Sequence, residues 1–354
     1  MTESQPPKRF RVGVAVALVL WASLGLLSGP AAVAGASQPE LVWVASADSG
    51  PVQAYAATSS GSVSPLRSID DPQLPDTVWD PWGVAVGPSG RVYVQSFLSD
   101  ATSFVFGPGA HGHAAPKAAF VADAPDTRSI AVDSRGYEYV ASGESAAVIS
   151  VAPRRASGQP SDLYRVSPVR TITTDEQGFE PWPDTLATDA RGQLVAAVVR
   201  SSNNSIEFFS GGPTGPSTPA RDISGTATGL GDCASIDVCD HVNVAVASLT
   251  ADTVVGVSEG TATHISVWAP GATGDTAPLV TIQGSLTGLD GRVITGLAVS
   301  ARTGDIYAMV KPSQFSGPGA IEVFAPTASG NSAPVRVFTD PANSFASATG
   351  IAVH

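Results

Sequence analysis

A recurring pattern of four short apolar segments constrains the fold of this chain more than any other feature of its sequence. The clearest copy lies within residues 296–338, where the segments 296–299, 305–308, 321–325 and 334–338 are separated by Gly, Pro, Ser and Thr. Short apolar, mostly alternating segments bounded by turn residues are typical of antiparallel strands. This copy therefore predicts a four-stranded antiparallel unit.

Six copies of the fourth segment can be aligned, and each begins with proline. The prolines are Pro65, Pro116, Pro168, Pro219, Pro278 and Pro334. Proline cannot donate a ladder hydrogen bond, so we expect each of these segments to be the outermost strand of its unit. An aromatic residue stands ten positions before the proline in five copies, as Tyr55, Phe106, Phe209, Trp268 and Phe324. In the third copy we assign this position to Val151, which implies an insertion of seven residues before Pro168.

The first copy lacks its opening strand, and the end of the chain supplies a matching segment. Residues 41–44 align with the second strand of a unit, whereas residues 350–354 align with the first. Pairing of these two segments would close the array into a ring and remove its exposed sheet edges. Repeats on the order of 50 residues indicate radial β-units. We therefore predict an all-β, six-bladed β-propeller of four-stranded antiparallel blades in residues 37–354.

The inner strands carry a motif that resembles a known repeat. Gly-Ile-Ala-Val-Asp, a glycine turn and Tyr-Val-Ala are matched best in residues 129–141, 83–94 and 296–308. This motif resembles the NHL-repeat family of β-propellers, in a secreted bacterial form. The resemblance implies the propeller fold, in a family that includes extracellular sensor domains, scaffolds, lyases and lactonase-like hydrolases. The long loops between the repeats here depart from the family, so no ligand residues are carried over from it.

The N-terminal residues have the pattern of a signal peptide. Basic residues 8, 9 and 11 precede an apolar run over 12–27, and small residues follow up to Ala36. We expect cleavage near Ala36, which makes residues 1–36 a signal peptide and 37–354 a secreted single domain. No cysteine is placed to carry a lipid, and no later segment predicts stable membrane insertion. The two cysteines, Cys233 and Cys239, predict a disulfide in an exported protein.

The charge distribution gives the strongest functional signal. A net charge of −12 argues against a nucleic-acid partner. The segments between the predicted blades are 70–82, 121–128, 173–184, 224–242, 283–295 and 339–349. They hold 15 of the 31 acidic residues but only two basic residues, Arg128 and Arg292. We call the side of the disc that bears these interblade loops the acidic loop face, and we expect it to attract cations or cationic partners.

Four of these acids fall at similar places before the inner strands. Asp80, Asp126 and Asp240 lie three residues before the position that corresponds to Gly296, and Asp184 lies one residue before it. If the loops enter the channel alike, these carboxylates could bind Ca²⁺, with Asp80, Asp126 and Asp240 as ligands. They could instead raise one another's pKa and form an acid–base site. The third alternative is that each aspartate caps its own turn.

Aromatic residues and a histidine accompany the acids. Trp79, Trp82 and Trp182 could form a glycan- or cation-binding surface, or they could pack between blades. His241 follows Asp240 beside the predicted disulfide. The candidate binding residues are thus Asp80, Asp126, Asp184, Asp240, Trp82, Trp182 and His241.

These patterns favour a secreted, monomeric, non-catalytic propeller that binds an extracellular protein, ion or glycan through the acidic loop face. The alternative is a metal-dependent hydrolase or lyase of the lactonase-like type, with an axial carboxylate site. It has the carboxylates, but no paired His or Asn set accompanies them. A third interpretation is an envelope scaffold whose channel mouth is closed by Trp79, Trp82 and Trp182.

Overall fold

The computed structural model describes most of the chain from residue 39 onward. The described ranges are 39–47, 50–72, 79–97, 102–121, 127–142, 148–152, 168–173, 182–200, 203–231, 233–235, 238–239, 241–247, 250–258, 262–313 and 317–354. For residues 102, 121, 127–128, 148, 182–184, 233–235, 238–239 and 241, only the backbone is described. The predicted signal peptide and its cleavage site lie outside these ranges and stay a prediction.

The strands follow the repeat in chain order. Blade 1 contains β1 (Leu41–Ser46), β2 (Val52–Ala56) and β4 (Arg67–Ile69), with the two-residue β3 (Gly61–Ser62) between the last two. Blade 2 contains β5 (Pro81–Val86), β6 (Val92–Ser96), β7 (Thr102–Phe106) and β8 (Ala118–Val121). Blade 3 contains β9 (Thr127–Val132), β10 (Glu138–Ser142), β11 (Val148–Ala152) and β12 (Arg170–Thr173).

The second half of the chain repeats this order. Blade 4 contains β13 (Trp182–Thr188), β14 (Leu194–Val199), β15 (Ser205–Phe209) and β16 (Arg221–Ser224), followed by a hairpin of β17 (Cys233–Ser235) and β18 (Val238–Cys239). Blade 5 contains β19 (His241–Val246), β20 (Thr253–Ser258), β21 (His264–Trp268) and β22 (Val280–Ile282). Blade 6 contains β23 (Val293–Val299), β24 (Ile306–Lys311), β25 (Ala320–Phe324) and β26 (Arg336–Thr339). A 3₁₀ turn (Ser344–Ser347) leads to β27 (Ala348–Val353).

The last strand completes the first blade, as the offset of the repeats predicts. β27 pairs antiparallel with β1, and the N–H groups of Leu41 and His354 each donate to the other residue's carbonyl at 2.8 and 3.0 Å. The innermost strands β5, β9, β13, β19, β23 and β27 contact one another in sequence around the axis. The prediction of a six-bladed propeller closed by the C-terminal strand is therefore confirmed.

The hydrophobic core is divided into six clusters, each between two neighbouring blades. The repeated aromatic residue of the third strand is fully buried in these clusters in five blades. In blade 3 the register corrects the sequence alignment: Ala152, not Val151, takes this position, because Ala152 pairs with Glu138 as Phe106 pairs with Val92. Alanine has no aromatic ring to mark the position, so the assignment to Val151 is wrong by one residue and the insertion before Pro168 is six residues long.

The repeated prolines do not begin the outer strands but lie two residues before them. The residue after each proline donates its N–H to the third strand, as Leu66 does to Ala54 at 2.7 Å and Val335 to Val323 at 2.8 Å. The expectation that each strand starts at its proline is thus wrong by two residues. Proline fits this place because its missing N–H is not needed before the ladder begins.

The loop between the third and fourth strands of one blade folds onto the fourth strand of the preceding blade. Parallel backbone bridges join Ile69 to Gly112, Ile223 to Gly274 and Ile282 to Gly330, and β26 pairs with β3 in the same way. These loops therefore cover the outer strands, which would otherwise expose unpaired edges.

Among the described residues, no helix is long and apolar enough to cross a membrane.

Candidate functional site

The innermost strands build an axial site from equivalent positions, which the pairing with their second strands defines. The mouth level contains Trp82, Arg128, Asp184, Val242, Thr295 and Thr349. The polar level, one residue later, contains Gly83, Ser129, Thr185, Asn243, Gly296 and Gly350. The aliphatic level follows, with Val84, Ile130, Leu186, Val244, Leu297 and Ile351. Because each innermost strand starts from an interblade loop, the mouth level lies toward the acidic loop face.

A cavity of about 110 Å³ lies between these strands. All six strands line it at the polar and aliphatic levels, and Trp82, Thr295 and Thr349 line it at the mouth level. The six aliphatic-level residues are each at most 9% exposed, and their side chains pack in the clusters between blades. The cavity is therefore an axial pocket lined by the innermost strands of all six blades.

On one side of the ring, polar-level side chains bind the backbone of the next blade. Ser129 Oγ accepts a hydrogen bond from the N–H of Leu186 at 2.9 Å, and Thr185 Oγ1 accepts one from Val244 at 2.7 Å. Asn243 Nδ2 donates to the carbonyl of Ile294 at 2.9 Å. These polar groups join blades 3 to 4, 4 to 5 and 5 to 6, so their presence near the axis has a structural explanation.

The other side of the polar level is glycine, at Gly296, Gly350 and Gly83 in blades 6, 1 and 2. A Cβ atom at Gly350 would lie 2.9 Å from the carbonyl oxygen of Trp82, and one at Gly296 would lie 2.8 Å from a methyl of Ile351. At Gly83 the nearest atom would be a methyl of Ile130 at 3.1 Å. The pocket is therefore built from two unlike halves.

A β-bulge places one extra residue at the mouth level in five of the six innermost strands. The register shifts there between Pro81 and Gly83, for example, and between Ile294 and Gly296. In blade 5 no such shift occurs, since Val242 pairs directly with Val257. Bulges redirect side chains next to functional sites. No periodic sequence signal would have shown which strands carry them.

The acids predicted to converge on the axis are described only in part. Asp80 is buried, at 5% exposed, and its backbone N–H donates to Ser96 Oγ at 3.1 Å. For Asp184 the backbone is described, and it lies at the mouth level. Asp126 and Asp240 lie outside the described residues, so the predicted Ca²⁺ site stays a prediction. Within the part of the chain that the structure describes, no group of three His, Cys, Asp or Glu side chains could hold a metal ion.

The predicted aromatic residues separate into two environments. Trp82 is partly exposed, lines the pocket and stacks on Phe97 with ring centroids 4.8 Å apart. Trp79 is 4% exposed, packs against Phe104 and Phe106, and donates its indole N–H to the carbonyl of Gly50 at 2.9 Å. Packing between blades is therefore the correct alternative for Trp79, which does not close the channel mouth.

The backbone alone is described for the remaining candidates. Trp182 pairs with Val199 at the start of β13, and His241 pairs with Ser258 at the start of β19. Cys233 and Cys239 are direct antiparallel partners in the β17–β18 hairpin. Their predicted disulfide stays a prediction.

The described acids of the interblade loops also fall into two groups. Asp340 is 6% exposed and accepts hydrogen bonds from Tyr55 Oη at 3.2 Å, from Ser344 Oγ and from the N–H of Ala342 at 3.1 Å. This residue is a turn cap, and it raises the pKa of Tyr55, for which burial is the larger cause. Asp71 and Asp290 are exposed on the surface.

Sequence reasoning missed a repeated arginine that joins blades. Arg67, Arg170, Arg221 and Arg336 each stand two residues after the repeated proline and donate to carbonyl oxygens of the next blade. The recurring Pro-x-Arg spelling was the available signal. It marks structure rather than a ligand site, because the guanidinium groups are used within the ring.

The comparisons with known proteins show similarity of fold only. A crystal structure of a protein of unknown function from Bacteroides caccae matches with a TM-score of 0.58 and 10% identity, covering 89% of this chain and 98% of that one. A chain from the crystal structure of a nidogen/laminin complex matches with a TM-score of 0.54 and 12% identity, over 89% and 98% of the two chains. No family model and no curated protein matches the sequence. Membership of the NHL-repeat family stays a prediction.

Proposed function

We propose that this protein is a non-catalytic binding propeller that recognises a cationic extracellular partner through its acidic loop face. The observation that carries the proposal is the charge difference between the two faces of the disc. The interblade loops hold 15 acidic and two basic residues. The potential they create would raise the local concentration of cationic partners and speed their association.

The opposite face has no such excess of charge in its tight turns. The turns between first and second strands contain four acids and four arginines, listed as Asp133, Asp189, Asp252, Asp305, Arg91, Arg135, Arg191 and Arg302. Three of these acids already have partners. Asp133 binds Arg135 at 2.7 Å, Asp305 binds Arg336 at 2.9 Å, and Asp189 caps its own turn. The acidic loop face is therefore the better candidate for an interaction surface.

Binding is favoured over catalysis by how the described axial groups are used. Ser129, Thr185 and Asn243 are all engaged in bonds between blades. The alternative hydrolase or lyase site requires Asp126 and Asp240, which lie outside the described residues. A propeller of similar fold occurs in the nidogen/laminin complex, and this is compatible with a protein partner here.

Further parts of the proposal concern the mature protein. We propose export after cleavage near Ala36, a monomeric state, and a Cys233–Cys239 disulfide. The disulfide is supported by the register, since directly opposed antiparallel residues have Cα atoms about 4.5–5.5 Å apart, which a disulfide can bridge. Ca²⁺ remains the proposed cation for Asp80, Asp126 and Asp240.

The test uses a decalysine peptide as a cationic probe, titrated calorimetrically into the mature protein at low and high salt. Asp71→Asn and Asp290→Asn should each weaken binding about twofold to fivefold at low salt, as expected for exposed charges. Asp252→Asn, on the opposite face, makes the same change in net charge and should leave affinity unchanged. Equal effects of all three substitutions, or no binding at low salt, would contradict the proposal.

A further inference from the structure

We propose that the axial pocket binds a neutral ligand with several hydroxyl groups, namely the terminal sugar of a glycan. The site lies on the glycine side of the ring, in blades 6, 1 and 2. It goes beyond the proposed function because it depends on uncharged backbone groups of the innermost strands and not on the acids of the interblade loops.

The backbone at the aliphatic level points toward the axis in every blade. In each blade, the residue three positions after the aliphatic-level residue is hydrogen-bonded to the chain of the second strand. The N–H of Gly87 donates to the carbonyl of Arg91 at 3.0 Å, for example, and that of Asp133 to the carbonyl of Tyr137 at 2.9 Å. In an antiparallel pair, N–H and C=O groups alternate in direction from residue to residue. Both groups of the aliphatic-level residues therefore point away from the second strand.

On the polar side, the N–H groups of blades 4 and 5 already have acceptors. The N–H of Leu186 is bound by Ser129 Oγ, and that of Val244 by Thr185 Oγ1. On the glycine side, Gly296, Gly350 and Gly83 provide no side chain to reach the N–H groups of Ile351, Val84 and Ile130, respectively. Three neighbouring blades thus present backbone donors to the pocket at places where the other side has a hydroxyl oxygen.

Packing explains the glycines at positions 296 and 350, where an added Cβ would lie 2.8 and 2.9 Å from its nearest neighbour, but it does not explain Gly83. Leu186 and Val244 are branched side chains like those on the glycine side, yet each packs beside a residue with a Cβ, Ser129 and Thr185 respectively. At Gly83 an added Cβ would lie 3.1 Å from a methyl of Ile130, a contact that a small side-chain shift would relieve. The open half of the pocket is therefore not required by packing at this position.

The chemistry of the open half favours hydroxyl groups over an anion. The C=O groups of Ile351, Val84 and Ile130 point the same way as their N–H groups, so each residue can donate a hydrogen bond to a hydroxyl oxygen and accept a hydrogen bond from a hydroxyl group. A carboxylate or phosphate would meet these carbonyl oxygens and, beyond them, a protein of net charge −12. A hydroxyl meets no such repulsion.

Two further groups on the same side suit a sugar. The Oγ1 atom of Thr295, which lines the pocket, is buried and has no hydrogen-bond partner among the described residues. Trp82, at the mouth level next to Gly83, stacks one face of its ring on Phe97 and also lines the pocket. Aromatic rings with polar neighbours are a common surface for sugar rings. The volume of about 110 Å³ approaches that of an engineered cavity that holds one benzene molecule.

The test is a titration of the mature protein with free glucose, galactose, mannose, N-acetylglucosamine and their disaccharides, followed by saturation-transfer NMR and calorimetry. At least one of these sugars should bind. Gly83→Ser should weaken it about tenfold, because the added hydroxyl would occupy the N–H of Ile130 as Ser129 occupies that of Leu186. Trp82→Ala should also weaken it, and it carries the test if Gly83→Ser does not fold.

Gly109→Ser is the matched control, since it makes the same change in the same blade on an exposed loop away from the pocket, where an added Cβ would meet nothing within 4 Å, and it should leave sugar affinity within about twofold. Sugar binding should not change with salt concentration, whereas binding through the acidic loop face should, so failure of either proposal can be recognised separately. Failure of every sugar to bind, tighter binding of acetate or phosphate, or equal affinity in Gly83→Ser, Trp82→Ala and the native chain would overturn the inference.

Discussion

At the scale of single residues, two buried glutamates stand out at the blade interfaces. Glu138 takes the strand position that is Val92 in blade 2, and Ser103 Oγ of blade 2 donates to it. Burial raises its pKa to about 7, and the hydrogen bond from Ser103 offsets this in part. Burial also raises the pKa of Glu322 to about 7, and the Arg292 guanidinium, 3.4 Å from the carboxylate, opposes this with a smaller effect.

Glu138 should therefore make stability depend on pH. Its pKa is about 7 in the folded chain and 4.5 in the unfolded chain. The folded state holds more protons between these values, so the stabilising contribution is complete below pH 4.5 and is lost as pH rises through 7. Glu138→Gln should remove this loss and gain roughly 2 kcal/mol at pH 8 relative to pH 5.

Urea unfolding at pH 5, 6, 7 and 8 measures this change. Ser103→Ala provides the contrasting variant, because loss of its hydrogen bond should raise the pKa of Glu138 further and move the loss of stability to higher pH. Parallel pH profiles for the native chain and Glu138→Gln would show that the buried carboxyl does not titrate in this range.

At the scale of strands and loops, the arginine two residues after the repeated proline is a main link between blades. Arg170 is 8% exposed and donates to the carbonyl oxygens of Ser210 and Pro216, each at 2.5 Å. Burial lowers its pKa, and no acidic side chain among the described residues forms an ion pair with it. The carbonyl groups of one loop of blade 4 therefore provide the bonds that hold this cation in the interface.

Arg170→Ala should destabilise the protein by about 2–3 kcal/mol, because the carbonyl groups would lose their donor in a buried place. Arg67→Ala is the matched control: it occupies the same position in blade 1 but makes a single exposed bond to the carbonyl of Pro108 at 2.6 Å. Its loss should cost less than about 1 kcal/mol. Equal costs in thermal or urea unfolding would contradict this assignment.

The elements themselves could be predicted where the sequence repeats a chemical constraint. The prolines mark the approach to the outer strands, and the buried aromatic marks the third strand. In blade 3, Ala152 replaces the buried aromatic residue, and an insertion changes the distance to Pro168. The alignment of this blade from sequence is therefore wrong by one residue. The bulge before Gly83 could not be predicted, because it depends on pairing between strands and not on the pattern of either strand alone.

At the scale of the whole molecule, the sequence predicts the ring more fully than it predicts the site. The offset between residues 41–44 and 350–354 predicts the closure of the ring, since unpaired edge strands would be open to pairing with other chains. The site requires knowledge of what each side chain already binds. Gly83 and Ser129 are equivalent in sequence, but only the bond from Leu186 to Ser129 shows that one side of the ring is filled and the other open. Asp80, a candidate from its position, is buried.

The central claim is that partners bind on the acidic loop face, and hydrogen–deuterium exchange of the mature protein with and without decalysine tests it most directly. Backbone amides in the interblade loops, including those of residues 70, 71 and 283–292, should exchange more slowly with the peptide present. The turns at 133–137 and 189–193, on the opposite face, should be unaffected. Protection of those turns, with none in the interblade loops, would contradict the account.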